Sequence, residues 1–191
     1  MTVSNAKVQK QDSSTMVMVR LTVTLFAICA VCAVLLGLTN MATKDTIERV
    51  AKEKKEAAMS AVLPAESYDQ VAYTGTDTTI LEAYKAGSAG YVLQVAPAGS
   101  FGGGLEIMVG ISKDGDNLTV SGVEIVASNE TSGLGANAKK PAFREQFIGK
   151  SGEVKVTKDG GEIDALTGAT ITSRAVSAGV TSALAAAATL D

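Results

Sequence analysis

GLEIMVGISKDGDNLTVSGVEIVAS, residues 104–128, is the stretch of this chain that determines most of the expected fold. In its first half, apolar residues recur with a period of two, which is typical of a β-strand. The segment KDGDN then supplies a turn, so the second half is expected to return as the antiparallel partner. There the alternation changes phase between Val120 and Val123, which indicates a β-bulge at Ser121 and Gly122. The residues expected on one face of the first strand are Leu105, Ile107, Val109 and Ile111.

The segments around this hairpin predict further strands and helices. GYVLQVAPAG (residues 90–99) and GEVKVTKDG (152–160) are expected to be strands, and PAFREQFIG (141–149) is expected to be a short helix that begins at its proline. TSRAVSAGVTSALAAAATL (172–190) is alanine-rich and strongly helical despite Gly179. Together these segments predict an α+β fold, with a curved antiparallel sheet and flanking helices against one side.

An apolar segment near the start predicts a single transmembrane helix. Residues 21–43 contain no charged residue, and the segment exceeds the roughly 20 residues that a spanning helix needs. A cleaved signal peptide is the alternative, but its apolar region is usually shorter, about 7–15 residues, and ends at a small-residue cleavage site. Lys7, Lys10 and Arg20 favour a cytoplasmic N-terminus, although basic residues just after the segment weaken that preference. We therefore expect a single-pass protein of the inner (cytoplasmic) membrane with a periplasmic or extracellular C-terminal domain.

Both cysteines, Cys29 and Cys32, lie within this apolar segment. Their spacing would suggest a redox or metal site in a soluble protein. In a membrane helix the favoured interpretation is that they are small polarizable side chains filling the helix surface. A lipid anchor at Cys29 is not favoured, because the preceding LFAI lacks the small residues expected there.

The helix is expected to continue beyond the membrane as a stalk that ends before Pro64. The stalk has an apolar side, which would dock on the domain or on a neighbouring subunit. The expected organisation is a cytoplasmic tail (1–20), a transmembrane helix (21–43), a stalk helix (44–63) and a C-terminal domain (64–191).

Composition excludes several classes of function. The chain has no histidine, so imidazole acid–base catalysis and histidine-ligated metal sites are excluded. Its net charge is −3, and no cluster of lysine and arginine interleaves with aromatic residues, so nucleic acid is not an expected partner. A serine or threonine nucleophile is not favoured, because no recognisable spacing marks the lysine or carboxylate that would activate it.

DALTGATITSRAV, residues 164–176, predicts a tight turn leading into the last helix, with Thr172 or Ser173 as its N-cap. The amides and positive dipole end of that helix favour a phosphate, and the small residues Gly168 and Ala169 would permit its close approach. Arg174 lies in the expected first turn, where a bound anion would offset its unfavourable interaction with the dipole. Hydroxyl-rich turns are also common simply because hydroxyls cap helices, so the spacing alone leaves a cap-only interpretation open.

DALTGAT, residues 164–170, closely resembles the D-x-x-(S/T)-G-A-T signature of a family of FMN-binding domains. These domains occur in the G subunit of the Rnf electron-transport complex and in the C subunit of the sodium-pumping NADH:quinone reductase. The resemblance implies that the phosphate of FMN is linked to the hydroxyl of Thr170 as a phosphoester. It also implies a flavin transferase that acts outside the cytoplasm with FAD as donor, and Asp164 matches the acid of its recognition signature. The flavin would then carry the reactivity, while the protein positions and tunes it.

Two further stretches carry the same resemblance, which covers most of residues 84–190 and implies that residues 64–191 form an FMN-binding domain. ETSGLG, residues 130–135, resembles the family's E-T-P-G-L-G loop along the flavin, with Ser132 in place of the usual proline. FGGGLEIMVGIS, residues 101–112, resembles the glycine-led strand before that loop, with Phe101 where tyrosine is frequent. The implied cofactor-binding residues are Glu130, Thr131, Gly133, Leu134, Gly135, Asp164, Thr167, Gly168, Ala169, Thr170, Thr172 and Arg174, with no catalytic side chain and no metal ligand.

The short tail, single helix, brief stalk and single domain resemble the Rnf G subunit more than the C subunit of the sodium-pumping reductase, which is usually longer. This resemblance implies membrane-subunit partners and a role as an electron-relay subunit, without substrate turnover by the chain alone. The implied complex is a translocase that couples electron transfer between ferredoxin and NAD to movement of Na⁺ or H⁺. The alternatives are that reductase's C subunit or a related anchored flavoprotein, and a membrane-tethered assembly or binding module whose threonine never carries flavin.

Overall fold

The computed structural model of the protein describes residues 3–190, and the side chains from residue 15 onward. The predicted tail therefore lies partly outside the described residues, as do the side chains of Lys7 and Lys10. The chain forms two compact units, one ending at Ala51 and the other beginning at Lys52. The helices are α1 (Val3–Val62), α2 (Pro141–Arg144) and α3 (Thr170–Ala187), and the strands are β1 (Asp69–Val71), β2 (Ile80–Lys85), β3 (Gly90–Val95), β4 (Glu106–Asp114) and β5 (Asn117–Ala127).

Helix α1 contains the apolar segment and the predicted stalk without interruption. Its apolar stretch has a mean hydropathy of 2.6 and exposes its side chains. By length and composition this stretch is a candidate membrane span.

The strands form one five-stranded antiparallel sheet in the order β1-β2-β3-β4-β5. The predicted hairpin is β4–β5, which joins at Asp114 and Asn117. Gly110 pairs with Gly122 and Ile111 pairs with Val120, so Ser121 is the extra residue of a bulge. The phase change in the sequence therefore predicted the bulge correctly.

Helix α3 packs on one face of this sheet and forms the larger core. The predicted inward face of β4 is buried there against apolar residues of α3 such as Val176 and Val180. Gly179 lies where α3 crosses the sheet: a Cβ atom there would be 2.8 Å from Ile107 Cδ1 and 3.1 Å from Pro97 Cβ. Gly179 lowers the helix propensity of this segment, but the close approach of helix and sheet leaves no room for a side chain at this position.

The opposite face of the sheet is covered by the end of α1. Ala58, Met59 and Val62 pack against Val92 of β3 and Met108 of β4. The prediction of helices against one side only was therefore wrong, because β3 and β4 bury side chains on both faces of the sheet. Of the two docking sites left open for the stalk, its end occupies the one on the domain.

Side-chain hydrogen bonds fix this end of α1. The Ser121 hydroxyl donates to the Val62 carbonyl at 2.6 Å, and the Tyr68 hydroxyl donates to the Leu63 carbonyl at 2.7 Å. The bulge residue thus binds a carbonyl that the helix itself leaves without a partner. The predicted bulge is part of the contact that holds the stalk.

A polar cluster joins α1 to the β2 strand. Lys55 and Tyr84 both donate hydrogen bonds to the Glu82 carboxylate. The hydrogen bond from Lys55 lowers the pKa of Glu82. This ion pair lies only partly exposed, beside the apolar contact made by the last turns of α1.

The region between β5 and α3 contains one confirmed and one incorrect prediction. The predicted short helix is present as α2, followed by a 3-10 helix, Glu145–Phe147. The buried rings of Phe143 and Phe147 pack edge to face, with their centroids 5.4 Å apart. The predicted strand at 152–160 is wrong: the segment has a single bridge, from Val156 to Ile163, and a 3-10 helix, Thr157–Asp159. The amide of Val154 instead donates to Thr181 of α3 at 2.9 Å, so this segment is held by a helix side chain.

Candidate functional site

The start of α3 is formed differently from the prediction. The helix begins at Thr170, so Thr172 and Ser173 lie inside its first turn, and Ala169 precedes it without a side-chain cap. The prediction of Thr172 or Ser173 as the N-cap was therefore wrong. The Ser173 hydroxyl accepts from the Leu166 amide at 2.9 Å and donates to the Ala169 carbonyl at 3.0 Å. It thereby stabilises the tight turn before the helix.

The first intrahelical hydrogen bond of α3 is donated by the Ser173 amide to the Ala169 carbonyl at 3.0 Å. The amides of Thr170, Ile171 and Thr172 precede that bond and form the positive end of the helix. Gly168, just before the helix, has φ = 74°, a conformation that favours glycine. The predicted tight turn thus delivers Thr170 to the first position of the helix.

A buried carboxylate joins three separate segments at this helix end. Glu130, which is 9 % exposed, accepts a hydrogen bond from the Thr172 hydroxyl at 2.7 Å and another from the Gly102 amide at 3.1 Å. Gly135 packs over this contact, since a Cβ atom there would be 2.4 Å from a Glu130 carboxylate oxygen. The FGGG segment before β4 (residues 101–104), the ETSGLG loop and α3 therefore share one buried hydrogen-bonding centre.

These segments enclose an open cleft of about 370 Å³. Three apolar side chains on its walls remain exposed: Phe101 (71 %), Leu134 (44 %) and Ile171 (49 %). Exposed apolar side chains around a concave site with few polar groups are typical of small-molecule binding. The residues lining the cleft are Phe101, Glu130, Thr131, Leu134, Gly135, Lys158, Gly168, Ala169, Thr170, Ile171 and Thr172.

The structure distinguishes two cations near the start of α3. Lys158, in the preceding 3-10 helix, donates from Nζ to Thr170 Oγ1 at 3.1 Å and lines the cleft. Arg174 instead makes a bidentate ion pair with Asp159, with contacts of 2.7 Å and 2.6 Å, and does not line the cleft. The hydrogen bond from Arg174 lowers the pKa of Asp159. Lys158 was absent from the predicted residues, because nothing in the spacing of Lys158 and Thr170 signals their contact.

Most of the predicted cofactor-binding residues meet at the cleft. The remaining four, which do not line it, are Gly133, Asp164, Thr167 and Arg174. Gly133 has φ = 79° and forms the turn of the ETSGLG loop, where its carbonyl accepts from Asn137 Nδ2 at 2.7 Å. The amide of Asp164 donates to Gln146 Oε1 at 2.7 Å. The structure thus separates residues that line the cleft from residues that shape the adjoining chain.

Comparison with known proteins matches the two parts of the chain separately. Residues 14–62 match the RnfG N-terminal region, and residues 100–185 match the FMN-binding domain. The second match contains every residue that lines the cleft.

Similarity also extends to whole relatives. The chain is 35 % identical over 187 aligned residues to the G subunit of the Na⁺-translocating ferredoxin:NAD⁺ oxidoreductase complex of Acetobacterium woodii, covering 86 % of this chain and 88 % of that protein. The chain belongs to the RnfG family. It is also 32 % identical over 169 residues to the G subunit of the ion-translocating oxidoreductase complex of Methanosarcina acetivorans, covering 83 % of this chain and 88 % of that protein. The chain is also 46 % identical over 99 residues to the G subunit of the proton-translocating ferredoxin:NAD⁺ oxidoreductase complex of Clostridium ljungdahlii, covering 49 % of this chain and 52 % of that protein.

Membership of the RnfG family confirms the resemblance found in the sequence, and the domain match supports FMN as the cofactor. The cleft suits FMN chemically. Apolar walls suit a flavin ring system, while Lys158 and the amides at the start of α3 suit a phosphate.

Proposed function

We propose that this chain is a membrane-anchored electron-relay subunit of an Rnf-type complex, with FMN covalently attached through Thr170. The observation that carries the attachment is the position of the Thr170 hydroxyl. It lies at the start of α3, lines the cleft and accepts a hydrogen bond from Lys158. Lys158 and the positive end of the helix would hold a phosphate joined to this oxygen, and the apolar walls of the cleft would hold the flavin ring.

The residues around the cleft have distinct tasks in this proposal. Phe101, Leu134 and Ile171 provide apolar contact for the ring system and reduce its exposure to water. Glu130 holds the loops in place through Thr172 and Gly102. Bound FMN supplies the redox chemistry, and the protein supplies its orientation and electrostatic surroundings. The chain needs no catalytic side chain of its own for electron transfer.

The attachment requires a flavin transferase as a maturation partner, with FAD as the donor of the FMN group. Asp164 and Thr167 lie outside the cleft, on the exposed approach to Thr170. This position suits residues that a transferase recognises. The reaction would place the flavin phosphate on Thr170 as a phosphoester.

The names of the relatives suggest the complex. They describe ferredoxin:NAD⁺ oxidoreductases that translocate Na⁺ in one case and protons in another. We propose the corresponding role here, with FMN relaying electrons between membrane subunits outside the cytoplasm.

The attachment is tested by producing the full chain with an active flavin transferase. Intact mass and in-gel fluorescence are then compared for wild type, Thr170→Val and Thr78→Val. Valine preserves the shape of threonine and removes its hydroxyl, and Thr78 is a matched control at an exposed position outside the signature and the cleft. We expect the wild type and Thr78→Val to carry one FMN less one water, and Thr170→Val to carry none. Colourless wild-type protein would instead support the tethered assembly module.

The proposed orientation has its own test. Ser67, an exposed residue after the stalk, is changed to cysteine in a chain whose Cys29 and Cys32 are replaced by alanine. An impermeant thiol reagent should label this variant in intact cells whose outer barrier admits the reagent. Labelling only after lysis would place the domain in the cytoplasm.

A further inference from the structure

Lys158 and Arg174, two cations near the start of α3, have different partners. Both oxygens of the Asp159 carboxylate are occupied by Arg174. Lys158, the neighbour of Asp159 in the same 3-10 helix, instead donates to Thr170 Oγ1 at 3.1 Å. The cation that faces the proposed attachment oxygen is therefore the lysine.

The Asp159–Arg174 pair explains why Lys158 occupies this position. Arg174 is in α3 and Asp159 is in the 3-10 helix Thr157–Asp159, so their two parallel hydrogen bonds connect these elements. A bidentate guanidinium–carboxylate pair fixes orientation as well as distance. Gly160 ends the 3-10 helix with φ = 82°, which reverses the chain directly after the pair.

We propose that Lys158 is the positioning residue for phosphate transfer to Thr170, and that it then serves as the counter-ion of the product. This inference rests on the proposed covalent attachment of FMN. Before transfer, the ammonium group orients the threonine hydroxyl. After transfer, it lies beside the single negative charge of the phosphodiester.

The proposed transfer is a substitution at phosphorus that does not consume Lys158. Thr170 Oγ1 attacks the FMN phosphorus of FAD, and an Oγ1–P bond forms as the bridging P–O bond of the pyrophosphate breaks. AMP leaves with the electron pair of that bond, and the hydroxyl proton passes to a base of the transferase. No group is oxidised or reduced. The lysine forms and breaks no covalent bond in this step, so its contribution is electrostatic and geometric.

The first test compares the initial rate of FMN attachment in full-length Lys158→Gln, Lys158→Arg and Lys155→Gln. Lys155 is a matched control in the same segment, since it pairs with Glu153 at 2.8 Å and does not line the cleft. Because a hydrogen bond to a charged group corresponds to about a tenfold or larger effect, Lys158→Gln should slow attachment by about that factor. Lys158→Arg should restore most of the rate, and Lys155→Gln should match the wild type.

The second test measures protection of Lys158 from a small acylating reagent, using peptide mass spectrometry of the chain before and after FMN attachment. We expect Lys158 to react less once the phosphodiester is present, and Lys155 to react equally in both forms. A glutamine variant that attaches FMN at the wild-type rate, or a Lys158 with unchanged reactivity, would overturn the inference and leave the proposed function standing. A wild-type chain that accepts no FMN from an active transferase would overturn both.

Discussion

The end of α1 and the start of α3 meet the same sheet from opposite faces, and they are completed in different ways. The Val62 carbonyl at the end of α1 accepts a hydrogen bond from Ser121, and the next carbonyl, that of Leu63, accepts one from Tyr68. The helix end is buried against β4 and β5. The first residues of α3 line an open cleft, with Ile171 half exposed and Thr170 beside a lysine. Every helix end leaves backbone groups without intrahelical partners. In this protein one end is satisfied internally and serves as an anchor, while the other remains available to a ligand.

The largest effect should come from disrupting the buried anchor with Gly110→Ala. A Cβ atom at Gly110 would be 2.4 Å from the Val62 carbonyl oxygen, a backbone atom that cannot move without displacing α1. We expect the free energy of unfolding to fall by about 3 kcal/mol, the upper part of the range for overpacked positions. Urea-dependent pulse proteolysis of the detergent-solubilised chain measures it.

Gly122→Ala is the graded comparison for this substitution, because its Cβ would be 2.9 Å from Val62 Cα. It should destabilise the protein less than Gly110→Ala. The molecules of either variant that remain folded should still accept FMN, because the altered contact is on the face opposite α3. A Gly110→Ala protein as stable as the wild type would show that α1 is not held this closely.

Glu130→Ala should have the next largest effect, because it removes the centre of the α3 site. The Thr172 hydroxyl and the Gly102 amide would both lose their buried acceptor. We expect a loss of about 2 kcal/mol, within the usual range for buried hydrogen-bonding groups left without a partner. Hydrogen exchange should also become faster at the Gly102 amide, and Glu130→Gln, which keeps an acceptor oxygen, should be milder. Unchanged exchange at Gly102 would contradict this account of the loop.

Ser121→Ala tests the hydrogen bond at the α1 anchor without adding volume. The variant removes the 2.6 Å bond to the Val62 carbonyl. The expected loss is about 1 kcal/mol, the usual net contribution of one hydrogen bond. Ser132→Ala, at an exposed position of the ETSGLG loop, is the control and should leave the urea midpoint unchanged. Equal midpoints for the two variants would show that this bond does not stabilise α1.

The smallest effect is the pH dependence contributed by Asp159. Arg174 lowers the pKa of this carboxyl, so its stabilising contribution is fully present above the ordinary aspartate pKa, about 3.9. The contribution is lost as the pH falls through the lower folded-state pKa. Asp159→Asn should therefore be slightly less stable than the wild type at neutral pH, and the difference should disappear in acid. Because this pair is on the surface, added salt should also reduce the stability difference between the wild type and Asp159→Asn. A difference that grows in acid would contradict the assignment.

Local patterns in the sequence predicted the parts of the fold that depend on neighbouring residues. The β4–β5 hairpin and its bulge followed from a period of two and its change of phase. The short β1 and β2 strands were not predicted. β1 has only three residues, and along β2 (ILEAYK) the buried side chains do not recur with a period of two. The predicted strand at 152–160 failed for a related reason, since its alternation of apolar residues reflects contact with α3 and the core.

The candidate site was predictable to a similar extent. The threonine signature and the ETSGLG loop identified the family and most of the residues that line the cleft. The helix start was misplaced because TITS offers several hydroxyls, any of which would suit an N-cap. The roles of the cleft residues in binding FMN remain predictions, and the Thr170→Val experiment tests the central one, covalent attachment.

The sequence by itself determined the apolar helix, the β4–β5 hairpin and the family, since each follows from local periodicity or a contiguous motif. Only the tertiary structure decided that both faces of the sheet are covered, that Gly110 and Gly122 contact the end of α1, and that Lys158 rather than Arg174 faces Thr170. These features depend on which distant segments pack together. Lys158 and Thr170 are 12 positions apart in the sequence, and their contact exists because a 3-10 helix, a glycine turn and an ion pair return the chain to the start of α3.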